Sequence, residues 1–528
     1  MVKTIKKILL ICLVGFIISC AQVVAPTGGE TDRIPPSILA IEPENQSLNF
    51  SSNTFTLEFD EYVVLKNLKE QLIVSPPLKY SLQNKIKGKK LIFTIKDTLK
   101  VNTTYVFNFG NAIVDLNEGN PLRNFQYVFS TGSVIDSLNL SGRVVDAFEL
   151  TPEKEAVLLL YPSNATDSAF TLELPSFVSR ANDDGAFTFT NLASGSYKLF
   201  ALEDKNDNYL YDRPDEKIGF VSGPVNPSDS AEKIQLYAFS LPDTNQFIEK
   251  QKAVQNALRI DFKLDANNTQ FELVDTLIEG FIQKVEFDQN KATLWHKATE
   301  AERLKLSIKQ GSFMDTIKFT PKTMGDSAVL KLVNNLDGKL NFFEPIELIF
   351  NRPLKSIVPD SISVLDGDSN LVPFTITLDF IDVRKALLAI ENPAEANFLL
   401  TIQPNAFEDI YQCTSDTIRN GLFFSAAEDF GNLIVKIQEL KAQNLILQLT
   451  DSKGQILKEY FESDSVYTFK YLPAAQYGLR LIADENVNRI WDAGNYYEGL
   501  LPERVIIYDE VIDIRQNWDK EIIWIIKQ

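Results

Sequence analysis

The sequence predicts an all-β protein, a row of tandem β-sandwich modules behind a cleaved signal peptide. Three observations carry that prediction. Apolar residues alternate with period two in short runs, as in Thr54-Phe55-Thr56-Leu57-Glu58-Phe59, Leu91-Ile92-Phe93-Thr94-Ile95 and Tyr105-Val106-Phe107-Asn108-Phe109. That is the pattern of strands with one buried face. Turn clusters such as Lys87-Gly88-Lys89 and Asn117-Glu118-Gly119-Asn120-Pro121 separate the runs at sandwich spacing. A gapless internal repeat sets residues 187–212 on 467–492, an offset of 280.

The first segment, 1–19, is a secretory signal. Lys3, Lys6 and Lys7 precede an apolar run from Ile8 to Ile18, too short to span a hydrocarbon core that needs about 20 apolar residues as a helix. The run closes on Ile17-Ile18-Ser19-Cys20, which resembles the bacterial lipobox. The resemblance implies a diacylated thiol on Cys20, cleavage before it, and a lipid anchor in a membrane. Several acyl chains make such an anchor persistent, where one binds marginally. Residues 20–34 are rich in small residues, Gly and Pro and read as a flexible tether. By resemblance to Gram-negative lipoproteins, Ala21 in place of aspartate after the cysteine favours the outer membrane. The periplasmic and surface faces both stay open.

Composition narrows the function. Removing residues 1–19, with three lysines and no acid, takes the net charge from −19 to −22. So acidic a chain repels nucleic acid and anionic headgroups as direct partners. Of three cysteines, Cys12 leaves with the signal and Cys20 is the acylation site, so Cys413 has no partner for an intramolecular disulfide. His296 is the only histidine. A His-rich zinc site and a Cys–His nucleophile pair are thereby excluded, and no nucleophile-elbow motif exists for a Ser-His-Asp triad. His296 is expected to be a solvated strand residue.

Residues 35–133 form the first module. Ile34-Pro35-Pro36 opens it, Leu57-Glu58-Phe59-Asp60-Glu61 makes an early strand, and Asn111 to Leu122 leads to a closing Tyr127-Val128-Phe129-Ser130-Thr131-Gly132. These motifs resemble the bacterial Ig-like domain of S-layer and other envelope proteins, which implies a structural or adhesive role without catalytic residues. The second module, 136–240, carries Asp184-Gly185 before a strand and then Leu192-Ala193-Ser194-Gly195-Ser196-Tyr197. It resembles the transthyretin-like, or carboxypeptidase-regulatory-like, sandwich, which implies a spacer or stabilising appendage. A short helix is expected over 246–258, opening a further strand-rich module, 245–334, that matches no family pattern. Pro345 to Asn351 and Asn405-Ala406-Phe407-Glu408-Asp409 echo the first module, so 335–426 reads as a divergent Ig-like domain. The repeat, with Thr188, Phe189, Leu192, Tyr197 and Leu199 recurring as Thr468, Phe469, Leu472, Tyr477 and Leu479, makes 428–528 a second transthyretin-like sandwich with a C-terminal tail.

One constellation could carry chemistry. Asp204, Asn206, Asn208 and Asp212 recur as Asp484, Asn486, Asn488 and Asp492. Oxygen side chains at loop positions 1, 3, 5 and 9 have the spacing of an EF-hand-type calcium loop, and Asp215 falls at position 12 of the first copy. Tyr209 and Arg489 stand where such a loop has glycine, and no flanking helices are predicted. The other reading of the same residues is an Asx-turn hairpin, with Asp and Asn bonding nearby backbone and Tyr211 or Trp491 plugging the core.

The leading expectation is a non-enzymatic, lipid-anchored envelope protein acting as scaffold, adhesin or assembly subunit. A glycan- or peptidoglycan-binding lipoprotein is the alternative, with Tyr496-Tyr497 as a sugar-stacking pair. Its partners are then the membrane and an envelope protein or glycan. A hydrolase using two carboxylates is a third class, but among 71 acids no pair is singled out.

Overall fold

The computed structural model describes residues 32–526, apart from 229–232, 275–279, 298–302, 324–328, 392, 394–396, 440–443 and 462–463. The signal segment and Cys20 lie outside the described residues. Antiparallel sheets dominate, and the α-helices among the described residues are single turns at Leu68–Gln71 and Ala169–Leu172. Two compact units divide the chain: Met1–Asp146 with Thr151–Phe239, and Ala147–Leu150 with Ser240–Gln528.

The first unit opens with nine strands: β1 Ile38–Glu42, β2 Thr54–Phe59, β3 Val63–Leu65, β4 Ile73–Ser75, β5 Gln83–Lys87, β6 Lys90–Thr94, β7 Thr104–Asn108, β8 Ile113–Asp115 and β9 Gln126–Ser130. They form a sheet β1-β2-β6-β5, a sheet β4-β7-β9 and a two-stranded pair β3-β8. The predicted alternation is realised in β2, where Phe55, Leu57 and Phe59 are buried while the residues between them are half-buried. Phe55 stacks on Tyr127 of the other sheet at 4.4 Å between centroids, so the two sheets share one aromatic core. Each such ring contributes about 1.5–3 kcal/mol by leaving water.

The same unit continues with β10 Leu138–Asp146, β11 Val157–Pro162, β12 Phe177–Arg180, β13 Ala186–Leu192, β14 Tyr197–Leu202, β15 Ile218–Phe220 and β16 Lys233–Ala238. Sheets β13-β10-β16 and β12-β11-β14-β15 enclose a second core. β10 pairs antiparallel with β13 and parallel with β16.

The second unit begins with a correction. The 246–258 segment is no helix: Ile248–Val254 and Ala257–Phe262 pair antiparallel as a hairpin, with Asn256 at φ 48° in the turn. Gln, Lys and Ala suit a helix locally, but cross-strand pairing and burial of Leu258, Ile260 and Phe262 override that propensity. This hairpin joins Lys291–His296 and Ile282–Asp288 in one four-stranded sheet. Gln270–Leu273, Leu304–Gln310 and Phe313–Phe319 make the other, and a common core lies between them. The stretch that matched no family pattern is a β-sandwich too.

Next come a sheet ordered Lys339–Leu340, Ile418–Phe424, Asn397–Ile402, Ile362–Leu365 and a sheet ordered Ile346–Ile349, Lys385–Ile390, Phe374–Leu378 around a core of their own. A two-stranded pair, Leu354–Ile357 with Phe407–Asp409, stands where β3 and β8 stand in the first sandwich.

The last sandwich repeats the second. Val466–Pro473, Phe430–Gln438 and Asp519–Ile525 pair in the order and directions of β13, β10 and β16. Leu140 faces Phe189 in one copy and Leu433 faces Phe469 in the other, each beside a register shift. Asn191 and Tyr471 share left-handed φ values of 57° and 56°. Tyr197 Oη donates to Ala193 O at 3.1 Å, and Tyr477 Oη to Pro473 O at 2.8 Å. The repeat read at an offset of 280 is therefore a repeat of backbone, pairing and tyrosine anchoring together.

Candidate functional site

The paired Asp/Asn loops follow β14 and its repeat, the strand Ala475–Ala483. Each begins where a central strand leaves the sheet, so its carboxylate sits at a fixed strand end. In the first loop Asp204 accepts the backbone N–H of Asn208 at 3.1 Å and of Tyr209 at 2.8 Å, one on each oxygen. In the second, Asp484 accepts from Asn488 at 3.1 Å and Arg489 at 3.0 Å in the same way. Left-handed φ values recur at matching positions, 59° and 62° at Asp207 and Tyr209, 61° and 65° at Val487 and Arg489. The bulky residues where a calcium loop has glycine thus adopt the glycine conformation, held there by the aspartate.

Asn206 and Asn208 donate through Nδ2 to Asp212 at 3.0 and 2.7 Å, one to each oxygen. Asn486 and Asn488 donate to Asp492 at 2.6 and 2.8 Å. Hydrogen bonds within the loops therefore engage every candidate ligand except Asp215. That carboxylate turns to Arg213 Nε at 3.0 Å and Lys205 Nζ at 3.4 Å, so it does not join the other side chains. Among the described residues no three or more His, Cys, Asp or Glu side chains are grouped so as to hold a metal ion.

Two glutamates missing from the sequence reading close the loops. Buried Glu216 accepts the N–H of Lys205 at 3.1 Å and of Arg213 at 3.3 Å. Buried Glu503 accepts from Glu485 at 2.8 Å and Asp492 at 3.1 Å. Burial pushes both carboxyls above their usual range, against the opposing pull of those N–H donors. The second loop is longer before its glutamate, so a gapless alignment sets Glu216 against Tyr496 and hides the match. Tyr211 is a core plug as expected, stacked on Phe170 at 5.6 Å. Trp491 is half-buried and donates Nε1 to Glu503 O at 3.0 Å.

His296 is a second correction. It is buried rather than solvated, parallel to Phe281 with centroids 5.0 Å apart and planes 7° apart. Its Nδ1 meets Lys297 O at 2.9 Å, and burial holds its pKa below the usual value. The strand ends under the Phe281 and Phe319 rings, and that cover is set by residues distant in sequence. Tyr496 and Tyr497 stand edge to face at 61°, with only Tyr497 exposed, so the two rings do not form one flat surface.

Comparison with known proteins identifies one part of the chain. Residues 32–131 match the family model of the bacterial Ig-like domain. The first sandwich is a bacterial Ig-like domain. One carboxylate holds its closing turn: Asp115 of this Ig-like domain accepts the N–H groups of Glu118, Gly119 and Asn120 at 2.7, 2.8 and 2.8 Å. Burial alone would raise that carboxyl, but the three donors outweigh it and hold it below its usual range. None of the curated proteins compared matches the sequence. Among solved structures, the Bacillus cereus major pilin subunit BcpA is 11% identical, with 74% of this chain and 99% of that one covered and a TM-score of 0.15. The Bacillus anthracis TIE protein is 10% identical over 95% and 76%, at 0.15. The S-layer protein rSbsC is 11% identical over 91% and 67%, at 0.15. Overlaps this poor carry no inference about the fold or function of the present chain.

Proposed function

We propose that this chain is a non-enzymatic scaffold of the bacterial cell envelope, held to the outer membrane through lipid on Cys20. The observation that carries the proposal is order along the chain: a lipobox-like Ile17-Ile18-Ser19-Cys20, a short tether, then a bacterial Ig-like domain from residue 32. The fold alone fixes no activity, and the scaffold role is drawn by analogy with sandwich modules that space or present what they carry. The burial of His296 supports a non-catalytic role, because the sole imidazole of the chain is stacked in a core and away from solvent. No helix among the described residues is long and apolar enough to cross a membrane, and the lipid on Cys20 would supply the attachment.

The test is metabolic labelling with an alkyne fatty acid, followed by membrane fractionation and protease shaving of intact cells. The native chain should take up label and partition with outer membranes. Cys20→Ser should lose both properties. Retention of label by that variant would overturn the anchor, and the shaving rate tells surface from periplasmic display.

A further inference from the structure

The first unit carries an apolar groove with a cationic rim, and the second carries an apolar knob flanked by acids. The groove has a volume of about 680 Å³ between the Ig-like domain and the Asp204–Asp212 loop. Its walls include Leu72, Leu78, Leu82, Leu174 and Tyr209. Leu72, Leu78 and Leu82 are half-buried at the outer edge of a packed core, and Leu174 is exposed. The charged side chains lining it are Lys69, Lys79, Arg180 and Asp207. Asp207 engages Lys69 at 3.1 Å, which leaves Lys79 and Arg180 as excess positive charge. Arg180 Nε is buried without a hydrogen-bond partner. On a chain with a net charge of −19, a positive apolar groove goes against the overall field.

The knob is the hairpin tip Asp379-Phe380-Ile381-Asp382, between Phe374–Leu378 and Lys385–Ile390. Phe380 is 98% exposed and Ile381 92% exposed, values at which neither side chain contributes to its own fold. The tip is nonetheless fixed: Asp379 accepts the N–H of Ile381 at 2.8 Å, and Asp382 that of Arg384 at 3.1 Å. Arg384 is taken by Glu286 at 2.6 Å, and Lys385 by Glu347 at 2.9 Å with Asp382 at 4.0 Å, so four carboxylates face two cations and the knob keeps a net negative charge. Two adjacent, fully exposed large apolar residues on a rigid turn are the anchor geometry of a protein interface. The flanking acids disfavour insertion into an anionic membrane.

We infer that the Phe380-Ile381 knob of one copy docks in the Leu72–Leu174 groove of a second copy, with Asp379 and Asp382 meeting Lys79 and Arg180. Apolar fit supplies the affinity and the opposite charges set the register. The two surfaces differ, so the contact is head-to-tail and propagates into chains or closed rings. The purpose of such an assembly rests on the scaffold reading. Its chemistry does not, so association of purified chain and lipid labelling of Cys20 fail independently.

Sedimentation velocity of the full chain carrying Cys20→Ser, from low micromolar to several hundred micromolar, tests the inference. Concentration-dependent dimers and longer species are expected, weakening as salt screens the charges. Phe380→Ser with Ile381→Ser should keep its melting temperature and weaken association at least about thirtyfold. Lys79→Glu with Leu174→Glu should do the same from the groove side. An equimolar mixture of the two double variants has one intact knob and one intact groove, so it should recover pairing and stop at the dimer. A chain that stays monomeric throughout, a knob variant that associates like the parent, or a mixture without recovery would each overturn it.

Discussion

Arg352 Nε lies 2.5 Å from Oδ2 of Asp409, and both side chains are buried. Oδ1 of the same aspartate accepts the N–H of Tyr411 at 2.8 Å and of Cys413 at 2.9 Å. Asp409 thus does in the fourth sandwich what Asp115 does in the Ig-like domain, where it ends the strand and closes the next turn. Two residues ahead of the paired Val63 the Ig-like domain has Glu61, and two ahead of Leu354 the fourth sandwich has Arg352. One copy satisfies its buried carboxylate with three backbone donors, the other with two and a guanidinium.

Breaking that pair leaves a buried carboxylate with two backbone donors and no counter-charge. Arg352→Met is expected to destabilise the second unit by about 3–5 kcal/mol, read as a lowered urea midpoint. A cost below about 1 kcal/mol would mean that water reaches Asp409.

The loops predict a paired effect. Asp204→Ala and Asp484→Ala each strip the acceptor from two backbone N–H groups beside left-handed residues. Each should cost about 1–3 kcal/mol in its own unit and leave the other unchanged. Melting in millimolar calcium against chelator separates the two uses of these side chains. Hydrogen bonding alone leaves the melting temperature unmoved, whereas a bound cation raises it with concentration.

The pH dependence of the second unit should trace to His296. Its folded pKa is lowered by burial, so the unfolded chain binds protons more readily in the window below about 6.5. Stability is then complete above that value and is lost as pH falls through it toward the folded pKa. Denaturant titrations between pH 5 and 7.5 should show this slope, and His296→Phe, which keeps an aromatic ring against Phe281, should flatten it. An unchanged slope in that variant would overturn the assignment to His296, and the raised carboxyl of Glu503 would not replace it, because that group contributes a slope of opposite sign.

Gly185 sits at φ 74°, and a Cβ there would lie 2.3 Å from Val144 O. Gly185→Ala should therefore cost the first unit more than the about 1 kcal/mol of left-handed backbone strain alone. Circular-dichroism melting of the variant checks this, and a loss under about 0.5 kcal/mol would show that the turn can shift.

The sequence by itself determined the β character of the chain, the presence of the first Ig-like domain and the duplication. Those depend on period-two alternation, turn residues and local identity, which are written along the chain. It also marked the Asp/Asn loops, since Asp204 and Asp212 act on neighbours within nine residues. Tertiary structure decided the rest. Pairing with Ala257–Phe262 made a strand of a segment with helical propensity. Phe281 and Phe319 buried the histidine that composition suggested was solvated. Glu216 and Glu503 came into their loops across unequal spacings, and Arg352 reached Asp409 across 57 residues. Burial and partner choice depend on which distant strands meet, and a local pattern does not encode that.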